Sequence, residues 1–378
     1  MFGRFKLVLL VASTMLGSAC AFAADVPKVS TSDSSRVLTA EEVEKLLGQK
    51  NVGYAEHYQA ARFFESKGLT DQAIDHYKMA ISDASAQANA YKHLAQVYLA
   101  TLHPEKADAT VKDGVKRFPD DFGLRLTAGF VYHNEHKLED ALAMYKKAIS
   151  LRPDNKDIQL ATADVLTDLG KPQEALPYAD KVIASGHASD FAYFEKAKIL
   201  VALGRRADAL EPLAHNFASN PFNYKSGRLY SSLLFTQKKY AQALEVCLCL
   251  LPFTAGPDMD EIKTMALGCL ANMQTADVLA NAKSAENKIS DAKHKAILHF
   301  ALGDVYDKAN HPDEAMAQYR AGLVFNPKFG RGYLRIGEDL EAKKDLKGAA
   351  ENYEKAFQFS PTDKEVVSRR EKLKNSGK

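Results

Sequence analysis

Eleven histidines, four cysteines and a few paired acids are the residues of this 378-residue chain that could do chemistry. A metal site needs three or four such side chains to converge. His133 and His136, three apart, could share an ion, but the surrounding pattern places no third ligand beside them, so they read as a solvated turn. Neither His-Glu-x-x-His nor Cys-x-x-Cys occurs, and no glycine-rich phosphate loop, Gly-x-Ser-x-Gly elbow or kinase motif is found. Asp120-Asp121 and Glu41-Glu42 fall at helix starts and turns, where the helix dipole favours acids. No catalytic residue, cofactor or metal is therefore expected, and the chain reads as non-enzymatic.

The first 23 residues are an address. Arg4 and Lys6 open it, Leu7 to Leu16 form an apolar stretch too short to span a membrane, and Ala21-Phe22-Ala23 gives a small-x-small end. Cys20 offers lipoprotein processing, yet Gly17 stands where that pattern prefers a branched aliphatic residue, so plain cleavage ranks first. The expectation is a periplasmic or secreted protein with no transmembrane segment after cleavage. Removing residues 1–23 leaves 48 cations against 48 anions, which argues against nucleic acid as the partner. In an oxidising compartment Cys247 or Cys249 could form a disulfide with Cys269. Three cysteines leave an odd thiol, and the alternative is three small buried apolar residues.

The elements that position these residues repeat. Ala73, Ala107, Ala141, Ala175, Ala209 and Ala243 stand 34 apart without a break. Twelve before each lies Ala61, Ala95, Gly129, Ala163, Ala197 or Ser231, and three further on Phe64, Tyr98, Tyr132, Leu166, Leu200 or Leu234. Pro119, Pro153 and Pro221 follow some of the closing helices. The register slips by four residues and returns at Ala315 and Ala349, with Gly303 and Gly337 before them and Pro327 and Pro361 after. An irregular unit therefore lies between, and Gly268 and Ala280 are its expected small positions. Each unit reads as two amphipathic helices joined by a polar turn, which bury their stripes only by stacking on neighbours. Thr39-x-x-Glu42 is a capping box for a short helix through Leu47, and Thr362-x-x-Glu365 opens a charged last helix.

The small, small and aromatic columns with a terminating proline resemble the tetratricopeptide repeat family. Its first-helix aromatic position is held by Tyr91, Tyr193 and Tyr333, while His57 and Gly227 depart from it. The resemblance spans about residues 54–363 and implies an all-α right-handed superhelical solenoid of about nine helical hairpins. The organisation expected is a signal peptide at 1–23, a flexible segment with a capping helix at 24–53, and six units at 54–257. A degenerate unit follows at 258–295, then two units at 296–363 and a capping helix or tail at 364–378.

In the family, first helices line an inner groove. Carried over, the groove positions are Tyr58, Arg62, Lys92, Gln96, Leu126, Phe130, Leu160, Phe191, Phe194, Lys198, Arg228 and Phe235, followed by Asp304, Asp307, Glu338 and Glu341. The resemblance thus implies a groove that is apolar and basic first and acidic later, suited to a peptide or helix held by aromatic anchors and cations. Lys92 with Gln96, then Leu126 with Phe130, stand where chaperone-binding relatives carry the Lys and Asn of a carboxylate clamp, so that clamp is not expected. The function expected is an exported scaffold for protein partners in the cell envelope. The alternative is an accessory of envelope assembly or polysaccharide export machinery.

Overall fold

The computed structural model describes residues 38–49, 52–186 and 188–376. The expected signal segment at 1–23, with Cys20, lies outside them. The described residues form twenty α-helices, one 3-10 turn and no strand, and no helix among them is long and apolar enough to cross a membrane. The chain divides into two compact units, one ending at Ser185 and the other starting at Gly186.

The first unit holds a short helix α1 (Ala40–Leu47) and four hairpins. These are α2 (Tyr54–Ser66) with α3 (Thr70–Ser82), α4 (Ala88–Ala100) with α5 (Pro104–Arg117), α6 (Phe122–Asn134) with α7 (Leu138–Leu151), and α8 (Lys156–Asp168) with α9 (Pro172–Ala184). Within it, α4 also packs directly on α6, so the first helices of neighbouring hairpins share one layer. The Thr39–Glu42 capping box forms: Thr39 N–H donates to Glu42 Oε2 at 2.7 Å, and Glu42 N–H to Thr39 Oγ1 at 3.3 Å. Val43 of α1 then covers Ala60 and Phe63, closing the open end of the first hairpin.

The second unit contains α10 (Asp190–Ala202), α11 (Leu210–Ser219), α12 (Tyr224–Thr236), α13 (Tyr240–Leu250), a 3-10 turn (Leu251–Phe253), α14 (Pro257–Leu270) and α15 (Thr275–Lys288). It continues with α16 (Ala292–Lys308), α17 (Pro312–Phe325), α18 (Gly330–Ala342), α19 (Leu346–Phe359) and α20 (Lys364–Ser376). The irregular stretch is not a hairpin of the usual kind. α14 and α15 both pack on α13, and α15 does so instead of pairing with α14. Ala280 is exposed, contrary to its expected role. Val278, Ala282 and Ala285 are the buried positions of α15, because its apolar stripe turns toward α13. Gly268 is a close-approach position, since a Cβ there would lie 2.9 Å from the Phe235 ring.

The small columns are the crossing points of the hairpins. All six alanines from Ala73 to Ala243 are fully buried, as are Ala61, Ala95, Ala163, Ala197 and Ser231. Where the first-helix member is glycine, a tyrosine sixteen residues on lies flat against it. Cβ atoms built at Gly129, Gly303 and Gly337 would stand 2.3, 2.5 and 2.6 Å from the rings of Tyr145, Tyr319 and Tyr353. In three hairpins, one of them with Ala61 in place of the glycine, the tyrosine hydroxyl reaches a first-helix carboxylate. Tyr77 donates to Glu65 at 2.6 Å, Tyr319 to Asp307 at 2.5 Å and Tyr353 to Glu341 at 2.6 Å, each twelve residues apart.

Every regular turn closes the same way. Leu69, His103, Lys137, Lys171, Arg205, Lys239, His311 and Asp345 donate their N–H to the carbonyl five residues earlier at 2.8–3.0 Å, the outer bond of a Schellman closure. The residue before each donor is left-handed. It is glycine at 68, 170 and 204, but Leu102, His136, Lys238, Asn310 and Lys344 adopt φ of 59–66°. A side chain in that region costs about 1–2 kcal/mol, partly offset by the lower unfolded-state entropy of a non-glycine residue. Leu102→Gly, at a half-exposed site, should therefore raise stability by about 0.5–1 kcal/mol. A stability equal to or below wild type in denaturant melts would show that the Leu102 side chain is itself stabilising.

Candidate functional site

The groove positions fall into two separate sets, one in each unit. In the first unit they stand on the layer built by α2, α4 and α6. Tyr58 is only 9% exposed, enclosed by Tyr54 at 5.6 Å, Tyr77 at 6.0 Å and His93 at 5.8 Å between ring centroids. It is a packing residue rather than an exposed anchor, and burial raises its hydroxyl pKa. Leu160, 3% exposed, is likewise core. Arg62, Lys92, Gln96, Leu126 and Phe130 are half-buried and reach the surface.

Charge on this layer is unequal. Arg62 Nε lies 3.9 Å from Glu65 Oε2, a loose contact, because Glu65 already accepts the short bond from Tyr77. Lys92 Nζ donates to Asn89 Oδ1 at 2.9 Å, so its hydrogen-bond partner is neutral. Its stem passes between α4 and α6, where a Cβ at Gly123 would come within 3.0 Å of Lys92 Cδ. Burial lowers the Lys92 pKa; Asp121 opposes this, while Arg152 and Arg62 push it further down. Arg152 spends its charge on the Phe122 ring, 4.6 Å from the centroid. Two partly desolvated cations therefore stand on the layer that also carries the half-buried Leu126 and Phe130.

His93 sits beneath them. Its Nδ1 is 3.8 Å from Glu65 Oε2, near enough for an ion pair if the ring were charged. Burial, with Arg62 and Lys92 beside it, instead holds the ring neutral and lowers its pKa to about 3. An unfolded histidine titrates near 6.5, so the unfolded chain takes up a proton over a range where the folded one does not. Stability from this group is full above about pH 6.5 and falls as pH drops toward 3. Between pH 7 and pH 5 the loss should be about 1–2 kcal/mol for the first repeats. His93→Phe should remove that much of the pH slope in denaturant unfolding followed by hydrogen exchange on α2–α5; an unchanged slope would mean the ring is protonated in the fold.

The second unit treats its predicted residues differently. Phe191 is 45% exposed on α10. Lys198 Nζ lies 5.9 Å from the centre of the half-buried Phe194 ring and 3.0 Å from Glu195 Oε2, a carboxylate that is 1% exposed. Lys198 thus serves a buried charge. Arg228 pairs with Glu261 at 3.0 Å. Phe235 meets the Tyr240 ring edge-on at 5.4 Å and fills the space over Gly268, so it packs helices together. The acids expected to make the late groove acidic are occupied: Asp304 by Lys263 at 2.5 Å, Asp307 by Tyr319, and Glu338 by Arg335 at 2.6 Å and Arg369 at 3.1 Å. Glu341 accepts from Tyr353.

Cys247, Cys249 and Cys269 are free thiols, each fully buried, the first two on α13 and the third on α14. Burial raises all three thiol pKa values, to about 12 for Cys249 and Cys269, which removes nucleophilic thiolate. His133 is not a free turn residue: its Nε2 lies 2.9 Å from Asp168 Oδ2, joining α6 to α8. No group of three His, Cys, Asp or Glu side chains could hold a metal among the described residues.

A model of the tetratricopeptide repeat family matches residues 133–199. Together with the interlocked columns and the helical hairpins, this makes the chain a tetratricopeptide repeat protein, of a fold class that serves as a scaffold for protein–protein interaction. A TPR repeat-containing protein of Methanocaldococcus jannaschii is 31% identical over 100 residues, covering 24% of this chain and 30% of that protein. Human protein O-mannosyl-transferase TMTC1 is 21% identical over 236 residues, 62% of this chain and 19% of its own. The chain spans less than a third of the length of these curated relatives. Among solved structures, a tetratricopeptide repeat protein from Parabacteroides merdae is 12% identical with a TM-score of 0.46, covering 76% of this chain and 98% of that one.

Proposed function

We propose that the protein is an exported, non-catalytic scaffold of the cell envelope. It holds a peptide or helical segment of a protein partner on the first-helix layer of its first unit. The observation that carries this reading is the unequal chemistry of one layer: Arg62, held to Glu65 only at 3.9 Å, and Lys92, hydrogen-bonded to the neutral Asn89, together with the half-buried Leu126 and Phe130. An apolar anchor flanked by acidic side chains complements that face, since the anchor displaces water from Leu126 and Phe130 while the acids relieve the two cations. In the second unit Arg228, Asp304 and Glu338 are engaged internally. Export rests on the Arg4/Lys6, Leu7–Leu16 and Ala21-Phe22-Ala23 pattern of the leader.

Selection from a random peptide library by the mature chain tests the reading. Peptides with Asp or Glu next to Leu, Phe or Ile should be enriched, and Arg62→Glu/Lys92→Glu should weaken them at least tenfold and steepen selection for basic peptides. Enrichment indifferent to charge reversal would reject the assignment. N-terminal sequencing of the protein recovered from cell fractions tests export, with Ala24 as the expected first residue of an envelope-located form.

A further inference from the structure

The first hairpin carries a pair of histidines that neither the repeat pattern nor the proposed binding face uses. His57 stands on α2 at the position where other repeats carry an aromatic residue, and His76 stands opposite on α3. Their Nδ1 atoms are 3.0 Å apart, with ring centroids at 5.3 Å and planes inclined by 36°. The Phe64 ring stacks on His76 at 5.3 Å and 17°, which fixes the plane of that imidazole. Both rings are half-buried, so each keeps a path to solvent.

We infer that His57 and His76 form a two-imidazole site for a divalent transition metal, copper(II) above all. Metal–imidazole bonds of about 2.0–2.1 Å drawn from two nitrogens 3.0 Å apart meet at about 90–95°. That is the cis angle of a square-planar or tetragonal ion, smaller than the tetrahedral angle zinc prefers. Copper(II) also binds nitrogen donors most tightly among the divalent first-row ions, while magnesium and calcium favour oxygen. Among the described residues no third His, Cys, Asp or Glu joins the pair, so water completes the coordination.

Without metal, one ring donates an Nδ1–H to the other's lone pair. On binding, that ring carries its proton on Nε2 instead, by exchange with water, and both Nδ1 lone pairs turn to the ion. No net proton is released. The ion then clips α2 to α3 and stabilises the N-terminal hairpin by an amount that grows with the logarithm of its free concentration above Kd.

The test uses the full chain and aqueous copper(II) chloride. One equivalent should bind with an electron paramagnetic resonance spectrum showing two equatorial imidazole nitrogens, and His57→Asn and His76→Asn should each lower that affinity at least tenfold. Magnesium chloride should give no response. A measurement on the wild type alone covers the case of a variant that does not fold: with one equivalent of copper, mapping by histidine carbethoxylation should show protection of His57 and His76 ahead of the other nine histidines. Unchanged affinity in both folded variants, a spectrum with one nitrogen, or protection falling on other histidines would each overturn the site.

Discussion

Gly129→Ala is expected to destabilise the α6–α7 hairpin by about 3 kcal/mol, the upper end of the cost of overpacking a core. The added methyl would stand 2.3 Å from the Tyr145 ring, closer than any real contact, and that ring is 1% exposed with no room to withdraw. One of the helices must shift. Because repeat hairpins contact mainly their neighbours, the loss should be local: faster amide exchange across α6 and α7, with helices of the second unit unchanged. Tyr145→Leu in the same background should recover part of the loss, since the two side chains compete for one space. Wild-type exchange in Gly129→Ala would mean the ring is freer than its burial implies.

Leu248→Ala should cost as much or more, about 2–5 kcal/mol, in the second unit. α13 is enclosed more completely than its counterparts: Leu244, Cys247, Leu248, Cys249 and Leu250 are all fully buried. The cause is the irregular stretch, which lays both α14 and α15 on α13 where an ordinary hairpin would cover it with less. The Ser284 and Lys288 side chains fasten α15 to Glu245 of α13 at 2.7 and 2.6 Å, so the walls cannot collapse freely into a cavity. Exchange should accelerate in α12 to α15 and stay constant in α1 to α9. A cost below 1 kcal/mol would contradict the central place given to α13.

The columns of Ala73 to Ala243 and Ala61 to Ser231 were legible because a crossing of two helices admits only small side chains, whatever surrounds it. Tyr58 was not legible as core. Its enclosure depends on Tyr54, Tyr77 and His93 arriving from three helices, and spacing cannot report that. The late acids misled for a related reason: Asp304 meets Lys263, and Glu338 meets Arg369, partners 41 and 31 residues away on other helices. The left-handed turn positions did carry a signal, glycine at 68, 170 and 204 in register, but Leu102, His136 and Lys238 concealed it by adopting the conformation without being glycine. Ala280 failed because the repeat was extended through a stretch whose second helix had changed its packing partner.

The central claim is that partners lie on the first-helix layer of the first unit. A photo-crosslinking amino acid placed at Gln96, half-buried on α4 between Lys92 and the end of that helix, tests it against the same probe at Lys112, whose side chain is 61% exposed on α5. In cells, irradiation should give a discrete protein adduct from position 96 that disappears with Lys92→Glu, and none from position 112. Adducts from position 112 alone, or equal adducts that ignore Lys92→Glu, would place binding elsewhere.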